Sequence, residues 1–161
     1  MWLSERLLAG VVLLVVAGCG FQIRGAASIP VEMGRTYIAT GDRHSVFYRK
    51  LRAELMSHGV ELVDSPVDAT ATFSIHADRT GQRVLSVSAR NVPREYEVFY
   101  TVLYSVETDE ETLLESRTQT LTMAYPWDET LVLGKEKEEE ILRDSIADDL
   151  VRVVLMQLSS L

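Results

Sequence analysis

The middle of the chain alternates between apolar and polar side chains over a length that suits three extended strands. A period of two sends successive side chains to opposite faces of a strand, so Phe73, Ile75 and Ala77 are expected to share one face. Ten residues of strand reach about 33 Å, which is long for a small domain. The pattern predicts an antiparallel meander of three long strands, drawn from residues 69–89, 96–106 and 113–123.

Two helices and a short strand flank this meander. Residues 35–40 favour a strand, and residues 43–58 have the apolar spacing of a helix that ends at Gly59 in a left-handed cap. A second helix is predicted over residues 135–157, with an apolar stripe formed by Ile141, Leu142, Ile146, Leu150, Val153 and Val154. The sequence therefore predicts an α+β fold, a two-layer sandwich with both helices on one face of a largely antiparallel sheet of about four strands.

The start of the chain has the features of an export signal. Arg6 supplies a positive charge, and an apolar run follows from Leu7 to Val16. About ten residues of helix span roughly 15 Å, whereas a membrane core is about 30 Å thick. The run is therefore too short for a permanent membrane span and suits the apolar part of a signal peptide.

This run ends in Val16-Ala17-Gly18-Cys19, which resembles the lipobox of bacterial lipoproteins. The resemblance implies that residues 1–18 are a signal peptide cleaved before Cys19. It also implies a diacylglyceryl group on the Cys19 sulfur and an acyl group on its new amine, and two or more such chains hold a protein stably at a membrane. Gly20 follows in place of a retention aspartate, which by analogy favours the outer membrane. The alternative is that Cys19 is an ordinary buried thiol behind a plain signal or a membrane anchor.

The mature chain is predicted to contain one folded domain. Residues 19–34 contain glycines, a pair of alanines and Pro30 without a period, which predicts a lipidated tether. Residues 35–161 contain no internal repeat and no low-complexity linker, so we predict a single domain there. Cys19 is the only cysteine, which excludes an intramolecular disulfide.

The charge of the chain limits its partners. The formal net charge is −8, which argues against nonspecific binding of nucleic acid. It does not exclude an anionic ligand, because a local basic cluster dominates within a Debye length of about 8 Å.

The sequence offers little catalytic or metal-binding chemistry. None of the three histidines lies four residues from another, and a zinc site is not expected with one cysteine. The adjacent carboxylates Asp148 and Asp149 diverge by about 100° around a helix, so they cannot flank one bond. We predict no catalytic residue, no metal and no cofactor beyond the lipid on Cys19.

Polar and aromatic rows on the long strands have two possible roles. A row of threonines is either a solvated strand face or a hydrated contact surface against another β protein: Thr118, Thr120 and Thr122. Three tyrosines on the neighbouring strand are more typical of a core than of a ligand platform: Tyr96, Tyr100 and Tyr104. The rows alone do not distinguish these functions.

Several motifs together resemble the family of lipopolysaccharide-assembly lipoproteins called LptE. Cys19-Gly20-Phe21-Gln22-Ile23-Arg24-Gly25 is similar to that family's opening cysteine-glycine-phenylalanine-x-leucine-arginine-glycine, with Ile23 replacing the leucine. The resemblance continues in three later runs: Val84-Leu85-Ser86-Val87, Arg94-Glu95-Tyr96-Glu97 and Leu131-Val132-Leu133-Gly134-Lys135. The order of elements fits over nearly all of the mature chain.

This resemblance implies a partner, the LptD β-barrel of the outer membrane, whose lumen the lipoprotein fills as a plug. It implies roles in assembling the barrel and in bringing lipopolysaccharide to the outer leaflet. By position, it suggests lipopolysaccharide binding by Arg90 and Lys135, with Arg94 and Arg83 as further candidates; arginine can hold phosphate bidentately. The segment Asn91-Val92-Pro93 departs from the small or glycine-containing segment common there, which leaves the exact placement of Arg90 open.

Two other functions remain open at this stage. A stand-alone periplasmic lipid- or glycan-binding lipoprotein would need a concave apolar pocket. An envelope hydrolase would need a base and a nucleophile close together, and the sequence does not contain a recognisable pair. Each basic residue could also serve only as a solubilising surface charge.

Overall fold

The computed structural model describes residues 29–128 and 132–161. These residues form five strands and two α-helices. In chain order they are β1 (Arg35–Thr40), α1 (Val46–Ser57), β2 (Glu61–Val63), β3 (Ala71–Val87), β4 (Pro93–Thr108), β5 (Thr112–Pro126) and α2 (Val132–Leu158). The predicted α+β class is confirmed, with five strands in place of about four.

The strands form one mixed sheet in the order β2-β1-β3-β4-β5. The predicted meander is present, because β3, β4 and β5 pair antiparallel in sequence order. β1 runs parallel to both β2 and β3. Parallel neighbours need a crossover connection, and α1 supplies it between β1 and β2. Gly59 follows α1 with a φ of +85°, which confirms the predicted left-handed cap.

The β3–β4 hairpin extends far beyond β1. β1 pairs with β3 only as far as the Thr40–Ile75 pair, whereas β3 continues to Val87. At about 3.3 Å per residue, the remainder of β3 reaches about 40 Å past that pair. The far half of the hairpin therefore has β5 on one side, and no strand of the described residues pairs with β3 on the other.

A β-bulge changes which residues of β3 face the helices. Phe73 and Ile75 share one face as predicted, and both are buried there, but the register shifts between Ile75 and Ala77. After the shift, Asp78 pairs with the buried Val102, so even-numbered residues of β3 continue the helix-covered face. The prediction that Ala77 shares a face with Phe73 is wrong, because a bulge inserts an extra residue and reverses the alternation.

Both helices pack on one face of the sheet. α1 begins at Val46 rather than near residue 43, because Ser45 is the N-cap and its hydroxyl accepts a 3.0 Å hydrogen bond from the backbone N–H of Tyr48. Lys50 joins the helices through Asp144 (3.0 Å) and Asp148 (2.7 Å). The buried stripe of α2 consists of Ile146, Ala147, Leu150, Val151, Val154, Leu155 and Leu158.

The structure differs from the prediction at one residue of α2 and in the segment before β1. The prediction that Ile141 belongs to the packed stripe of α2 is wrong, because its side chain is 59% exposed. Residues before β1 also join the packed body, since Val31–Gly34 forms a 3-10 turn in which Met33 is fully buried. The body therefore begins before Arg35.

The sheet has one covered and one uncovered face. Tyr100 and Tyr104 are buried on the covered face, as expected of core residues, and the ring of Phe73 stacks on Tyr104 at 5.4 Å. We call the opposite face the open face. On the long strands it carries Phe99, Thr101 and Leu103 of β4 and their β5 partners Thr118, Thr120 and Thr122.

Candidate functional site

Three of the four predicted ligand-binding residues lie at the far end of the β3–β4 hairpin or next to it: Arg83, Arg90 and Arg94. A tight turn closes this end: the N–H of Ser88 donates to the carbonyl of Val92 (2.7 Å), and that of Asn91 donates to the carbonyl of Ser88 (2.9 Å). Asn91 has a φ of +59°, which asparagine tolerates better than most residues. Pro93 starts β4, where a missing backbone donor costs least. We call residues 84–94 the hairpin tip.

Two of these arginines are available to a ligand. Arg90 lies in the turn and Arg94 lies at the start of β4, and both are exposed. Among residues 29–128 and 132–161, neither forms an ion pair with a carboxylate. The backbone of Arg94 is fixed, because its carbonyl accepts a 2.8 Å hydrogen bond from the N–H of Trp127. The structure thus presents two guanidinium groups at one end of the molecule.

Arg83 lies next to the hairpin tip on the open face, where it already has a partner. Its Nε donates a 2.6 Å hydrogen bond to Glu97, the residue directly opposite on β4. The Arg83 side chain is 65% exposed and that of Glu97 only 14%. A phosphate at Arg83 would therefore compete with a carboxylate that is largely covered.

Lys135 reaches the same end of the sheet from the first turns of α2. Its ammonium bonds to Glu138 at 2.7 Å and lies 5.8 Å from the ring centroid of Tyr125, on β5. Tyr125 stacks on Tyr96, which packs edge-on against Trp127 at 5.0 Å. The Lys135 side chain is only 12% exposed, so it is more enclosed than the three arginines.

This aromatic cluster connects α2 to the base of the hairpin tip. The Tyr125 hydroxyl donates a 2.8 Å hydrogen bond to Gln82, and Tyr96 pairs with Val84 across the strands. Burial, followed by the nearby Glu139 carboxylate, raises the pKa of Tyr125 and favours the neutral hydroxyl that this bond requires. The fold therefore brings Lys135 and the arginines to one end, through aromatic packing that the sequence pattern did not specify.

The hairpin tip also exposes aliphatic side chains, which the sequence pattern did not identify as a surface. Val84, Leu85, Val87 and Val92 are 47%, 49%, 52% and 41% exposed. Alternation places Leu85 and Val87 on a strand face, but it does not show whether another element covers that face. A possible signal was the combination of these residues with four arginines and no carboxylate from Arg79 to Arg94.

The open face is mostly polar, and neither helix covers it. The hydroxyls of Thr101 and Thr120 are hydrogen-bonded across the strands at 2.8 Å, and Thr118 and Thr122 are exposed. Phe99 lies directly opposite Thr122 and is half-buried. Hydroxyl groups both donate and accept, so this face can form hydrogen bonds with another polar surface without burying a charge.

The described part of the chain contains no group of three His, Cys, Asp or Glu side chains that could hold a metal ion. His76 bonds to Ser105 at 2.8 Å, but within the described residues no carboxylate orients that imidazole. Ser105 is almost completely buried, which withholds it from a substrate. Cys19, the predicted lipidation site, lies outside the described residues.

The helices form a groove of about 360 Å³, lined by Glu54, His58, Asp148, Val151, Arg152, Leu155 and Met156. Four of these seven side chains are charged or titratable, which is more than the few polar groups of a typical lipid pocket. None of the helices in residues 29–128 and 132–161 has the length and apolar character needed to cross a membrane.

Known proteins resemble this chain in sequence and in fold. The sequence model of the family described as LptE, Lipopolysaccharide-assembly, matches residues 33–158. An LPS-assembly lipoprotein LptE from Yersinia enterocolitica is 30% identical over 156 residues, covering 93% of this chain and 74% of that protein. Both matches include the hairpin tip and the long strands.

Two solved structures share the architecture. Lipoprotein B from Nitrosomonas europaea superposes with a TM-score of 0.72 at 27% identity, over 88% of this chain and 91% of that one. The rare lipoprotein B from Shewanella oneidensis has a TM-score of 0.68 at 21% identity, over 78% of this chain and 94% of that one. At 21% identity the second likeness concerns the fold alone.

Proposed function

Because the chain belongs to the LptE family of lipopolysaccharide-assembly lipoproteins, we propose that it plugs the LptD β-barrel and helps lipopolysaccharide reach the outer leaflet. The observation that carries this proposal is the family match over residues 33–158, which spans the entire folded body from Met33 to Leu158. In this proposal the protein acts by occupying the barrel lumen and binding lipopolysaccharide, and it catalyses no reaction.

The open face supports the plug. The interior of a large membrane barrel is polar, so a body inside it needs hydrogen-bonding groups rather than an apolar surface. The threonines at 118, 120 and 122 provide such groups on a rigid, three-stranded sheet. We assign the open face to contact with the lumen wall.

The basic end supports the lipid role. Lipopolysaccharide carries phosphates, and guanidinium groups bind phosphate through two parallel hydrogen bonds. In our proposal Arg90 and Arg94 make the first contacts because no carboxylate in the described chain occupies them. Arg83 and Lys135 bind phosphate only in exchange for Glu97 and Glu138, their present partners.

The lipid anchor completes the proposal. Cys19 with its acyl groups ties the body to the outer membrane through a tether that ends near Met33. Two or three acyl chains make this attachment stable, whereas one would not. The short tether keeps the folded body beside the membrane that contains the barrel.

Co-purification tests the plug directly. After mild detergent extraction, the full lipoprotein is expected to elute with a much larger β-barrel that mass spectrometry identifies as LptD. Recovery of free monomer alone would contradict the proposal. Thr118→Lys with Thr120→Lys should reduce the recovered complex without unfolding the protein, because it buries two charges against the barrel wall.

A matched pair of lysines checks that the effect belongs to the open face. Val67 is 91% exposed in the 3-10 turn before β3, and Ala53 is exposed on α1, which packs on the covered face of the sheet. Val67→Lys with Ala53→Lys adds the same charge away from the open face, and the complex should persist. Equal loss from both pairs would contradict the assignment of the open face.

The stand-alone lipid- or glycan-binding alternative has less support. It needs a concave apolar pocket, whereas the groove between the helices carries the charged side chains of Glu54, Asp148 and Arg152 among its apolar residues. Recovery of the protein without a barrel but with a bound lipid would favour it.

A further inference from the structure

We infer that the end of the molecule where β1 begins docks on the lipid surface, with the side chains of Val31 and Val67 inserted among the lipids. We call this the anchor end; it carries the 3-10 turns Val31–Gly34 and Pro66–Asp68, the last turns of α1 and α2, and the turn between β4 and β5. The inference rests on the proposed function, because the acylated Cys19 brings this end to a membrane. It adds a noncovalent contact that orients the body on the membrane.

The two 3-10 turns lie side by side at the start of the sheet. The hydroxyl of Thr70, two residues after the second turn, donates a 2.5 Å hydrogen bond to the carbonyl of Glu32 in the first turn. The backbone N–H of Thr70 donates a 2.8 Å hydrogen bond to the carbonyl of Arg35, the first residue of β1. Met33 is fully buried and holds the first turn against the core. The backbone of both turns is therefore fixed.

Val31 and Val67 are the most exposed large apolar side chains in the described part of the chain. They are 86% and 91% exposed, and neither belongs to the buried core. An apolar side chain held in water by a rigid turn gains free energy when an apolar partner covers it. Two such side chains on neighbouring turns therefore favour a contact at this end.

Further apolar residues are exposed at the anchor end because both helices end there. α1 returns from β1 to β2, so its last turn lies beside the start of these strands. α2 starts beside Tyr125, near the hairpin tip. Gln157, near the end of α2, accepts a hydrogen bond from Tyr104, in the half of β4 that is nearer the anchor end. Single exposed apolar residues are common, but a concentration at one end of a molecule indicates a contact surface. Three more are about half exposed near the helix ends: Met56, Met156 and Leu161.

The length of chain between Cys19 and the folded body brings a lipid surface to this end. Cys19 lies ten residues before Ile29, the first residue that the structure describes, so their Cα atoms are at most about 35 Å apart. From Ala71 to Val87, β3 extends roughly 50 Å away from the anchor end. An acylated Cys19 therefore keeps the anchor end within reach of the membrane, whatever the direction of the hairpin tip.

The charge around the two valines predicts which lipid surface fits. Glu32 and Asp68 are exposed beside Val31 and Val67 in the sequence. The turn between β4 and β5 lies next to the second 3-10 turn and adds three exposed carboxylates: Asp109, Glu110 and Glu111. Anionic lipid headgroups repel carboxylates, whereas the ammonium group of phosphatidylethanolamine attracts them. We therefore expect the anchor end to dock on a zwitterionic lipid surface.

A second copy of this chain fits the anchor end less well than lipid. A two-fold contact places the same patch on both sides, so it would set the exposed carboxylates against one another. A separate protein partner would cover Val31 and Val67 only in a complex. Vesicles that contain no other protein distinguish lipid from both of these occupants.

A fluorescent label at each valine tests the inference in the full lipoprotein. Cys19 is the only cysteine, and its thiol is acylated in the proposed mature form, so Val31→Cys or Val67→Cys provides a single reactive thiol. The label is nitrobenzoxadiazole, whose emission rises in an apolar environment. In vesicles of phosphatidylethanolamine and phosphatidylcholine, emission at both positions should rise several-fold over that in detergent-free buffer. Lipids that carry a nitroxide on the acyl chain should quench it.

Labels at two other exposed positions are the controls. Ile141→Cys lies on α2 and Thr120→Cys on the open face, both away from the anchor end, and their emission should stay unchanged. Val67→Asp in the Val31→Cys protein should remove most of the rise, whereas Ile141→Asp should preserve it. Urea unfolding of each variant confirms that it is folded before emission is measured.

The lipid composition tests the role of the carboxylates. Replacing part of the phosphatidylethanolamine with phosphatidylglycerol should lower emission at Val31 and Val67, and added salt should restore it. Stronger emission in the anionic vesicles would overturn the assignment of a zwitterionic surface.

The outcomes separate the inference from the proposed function. A wild-type protein that carries no acyl group and does not bind vesicles removes the anchor of the proposed function and the inference with it. Labels at Val31 and Val67 that behave like the controls in vesicle-bound protein overturn the inference alone. Shielding that appears only after the barrel is added, or only when labels on two copies quench each other, also overturns it, because a protein then covers the anchor end.

Discussion

The hydroxyl of Tyr100 on β4 accepts a 3.2 Å hydrogen bond from the backbone N–H of Phe47, in the first turn of α1. A helix leaves its first four N–H groups without partners inside the helix, and this contact satisfies one of them. Tyr100 and Phe47 are both buried. The bond therefore fixes the start of α1 against β4, the central strand of the antiparallel meander.

Tyr100→Phe is expected to lower the free energy of unfolding by about 1–3 kcal/mol, because it leaves the buried N–H of Phe47 without an acceptor. Urea unfolding at pH 7 measures the change. Tyr37→Phe, on the half-buried face of β1, is the control and should cost no more than about 0.5 kcal/mol. Equal stability of Tyr100→Phe and the wild type would show that the hydrogen bond contributes nothing.

The same residue predicts a pH dependence. Burial, followed by the nearby Asp78 carboxylate, raises the pKa of the Tyr100 hydroxyl. In the unfolded chain tyrosine ionises near pH 10. Above that pH the unfolded state therefore binds fewer protons than the folded state, and stability falls as pH rises.

Phenylalanine lacks the ionisable group, so the stability advantage of the wild type over Tyr100→Phe should be constant below about pH 9 and shrink above about pH 10. Urea unfolding of both proteins between pH 7 and pH 11 measures this difference. An advantage that does not change up to pH 11 would rule out the contribution of Tyr100 ionisation.

The long elements were predictable because their side-chain pattern repeats many times. The three strands each contain at least five alternations, and a local error in one of them does not change the assignment. β2 contains only three residues, too few for a period to appear. Its pairing with β1 depends on the crossover through α1, which is a property of the whole chain rather than of residues 61–63.

The face on which an individual residue lies was harder to predict than the positions of the helices and strands. Ala77 fails because a bulge depends on the register with β4, which local alternation does not contain. Ile141 lies at the margin of the α2 stripe: its neighbour Leu142 packs against the core, whereas Ile141 remains 59% exposed. The ion pair between Arg83 and Glu97 depends on the strand register, and the one between Lys135 and Glu138 depends on the helix. Composition alone therefore does not show that these two basic residues have partners.

Arg90→Gln with Arg94→Gln is expected to weaken lipopolysaccharide binding at least about tenfold, since each charge-assisted bond contributes about 1.5–3 kcal/mol. Binding of the wild type should also weaken as salt increases. Arg49→Gln with Arg52→Gln removes the same charge from the exposed side of α1 and is the control. Unchanged binding in a folded Arg90 and Arg94 variant would remove both residues from the site.

The predicted anchor is tested by labelling cells with radioactive palmitate. The wild-type protein should carry the label and lack residues 1–18, whereas Cys19→Ser should remain unlabelled and keep its leader. Gly20→Asp retains the acceptor thiol and should still be labelled. An unlabelled wild-type protein, or a mature form that retains the leader, would contradict lipidation at Cys19.

Lys135→Met is expected to loosen the first turns of α2. The variant keeps the apolar stem but loses the ion pair with Glu138 and the contact with the Tyr125 ring, together about 0.5–1 kcal/mol. Hydrogen exchange of the amides at 136–140 should accelerate about two- to fivefold. Lys137→Met also breaks an ion pair, with Glu140, but that lysine is 66% exposed, so exchange there should change little.

Gly81 lies on the open face, and the ring of Phe99 fills the space that a side chain at this position would need. A Cβ added to Gly81 would lie 2.9 Å from Cζ of Phe99, its direct partner across the strands. Gly81→Ala should therefore lower the free energy of unfolding by about 1 kcal/mol, because the Phe99 ring must move away and lose part of its burial. Urea unfolding of the single and double variants measures the effect.

The effect of Gly81→Ala should reverse once the ring is absent. In a Phe99→Ala background the added methyl group meets no ring, and alanine restricts the unfolded chain more than glycine does, so the same substitution should stabilise by about 0.5 kcal/mol. Phe99→Ala itself is expected to be destabilising, which the double-mutant cycle subtracts. If Gly81→Ala has the same sign in both backgrounds, the glycine is there for a reason other than the aromatic ring beside it.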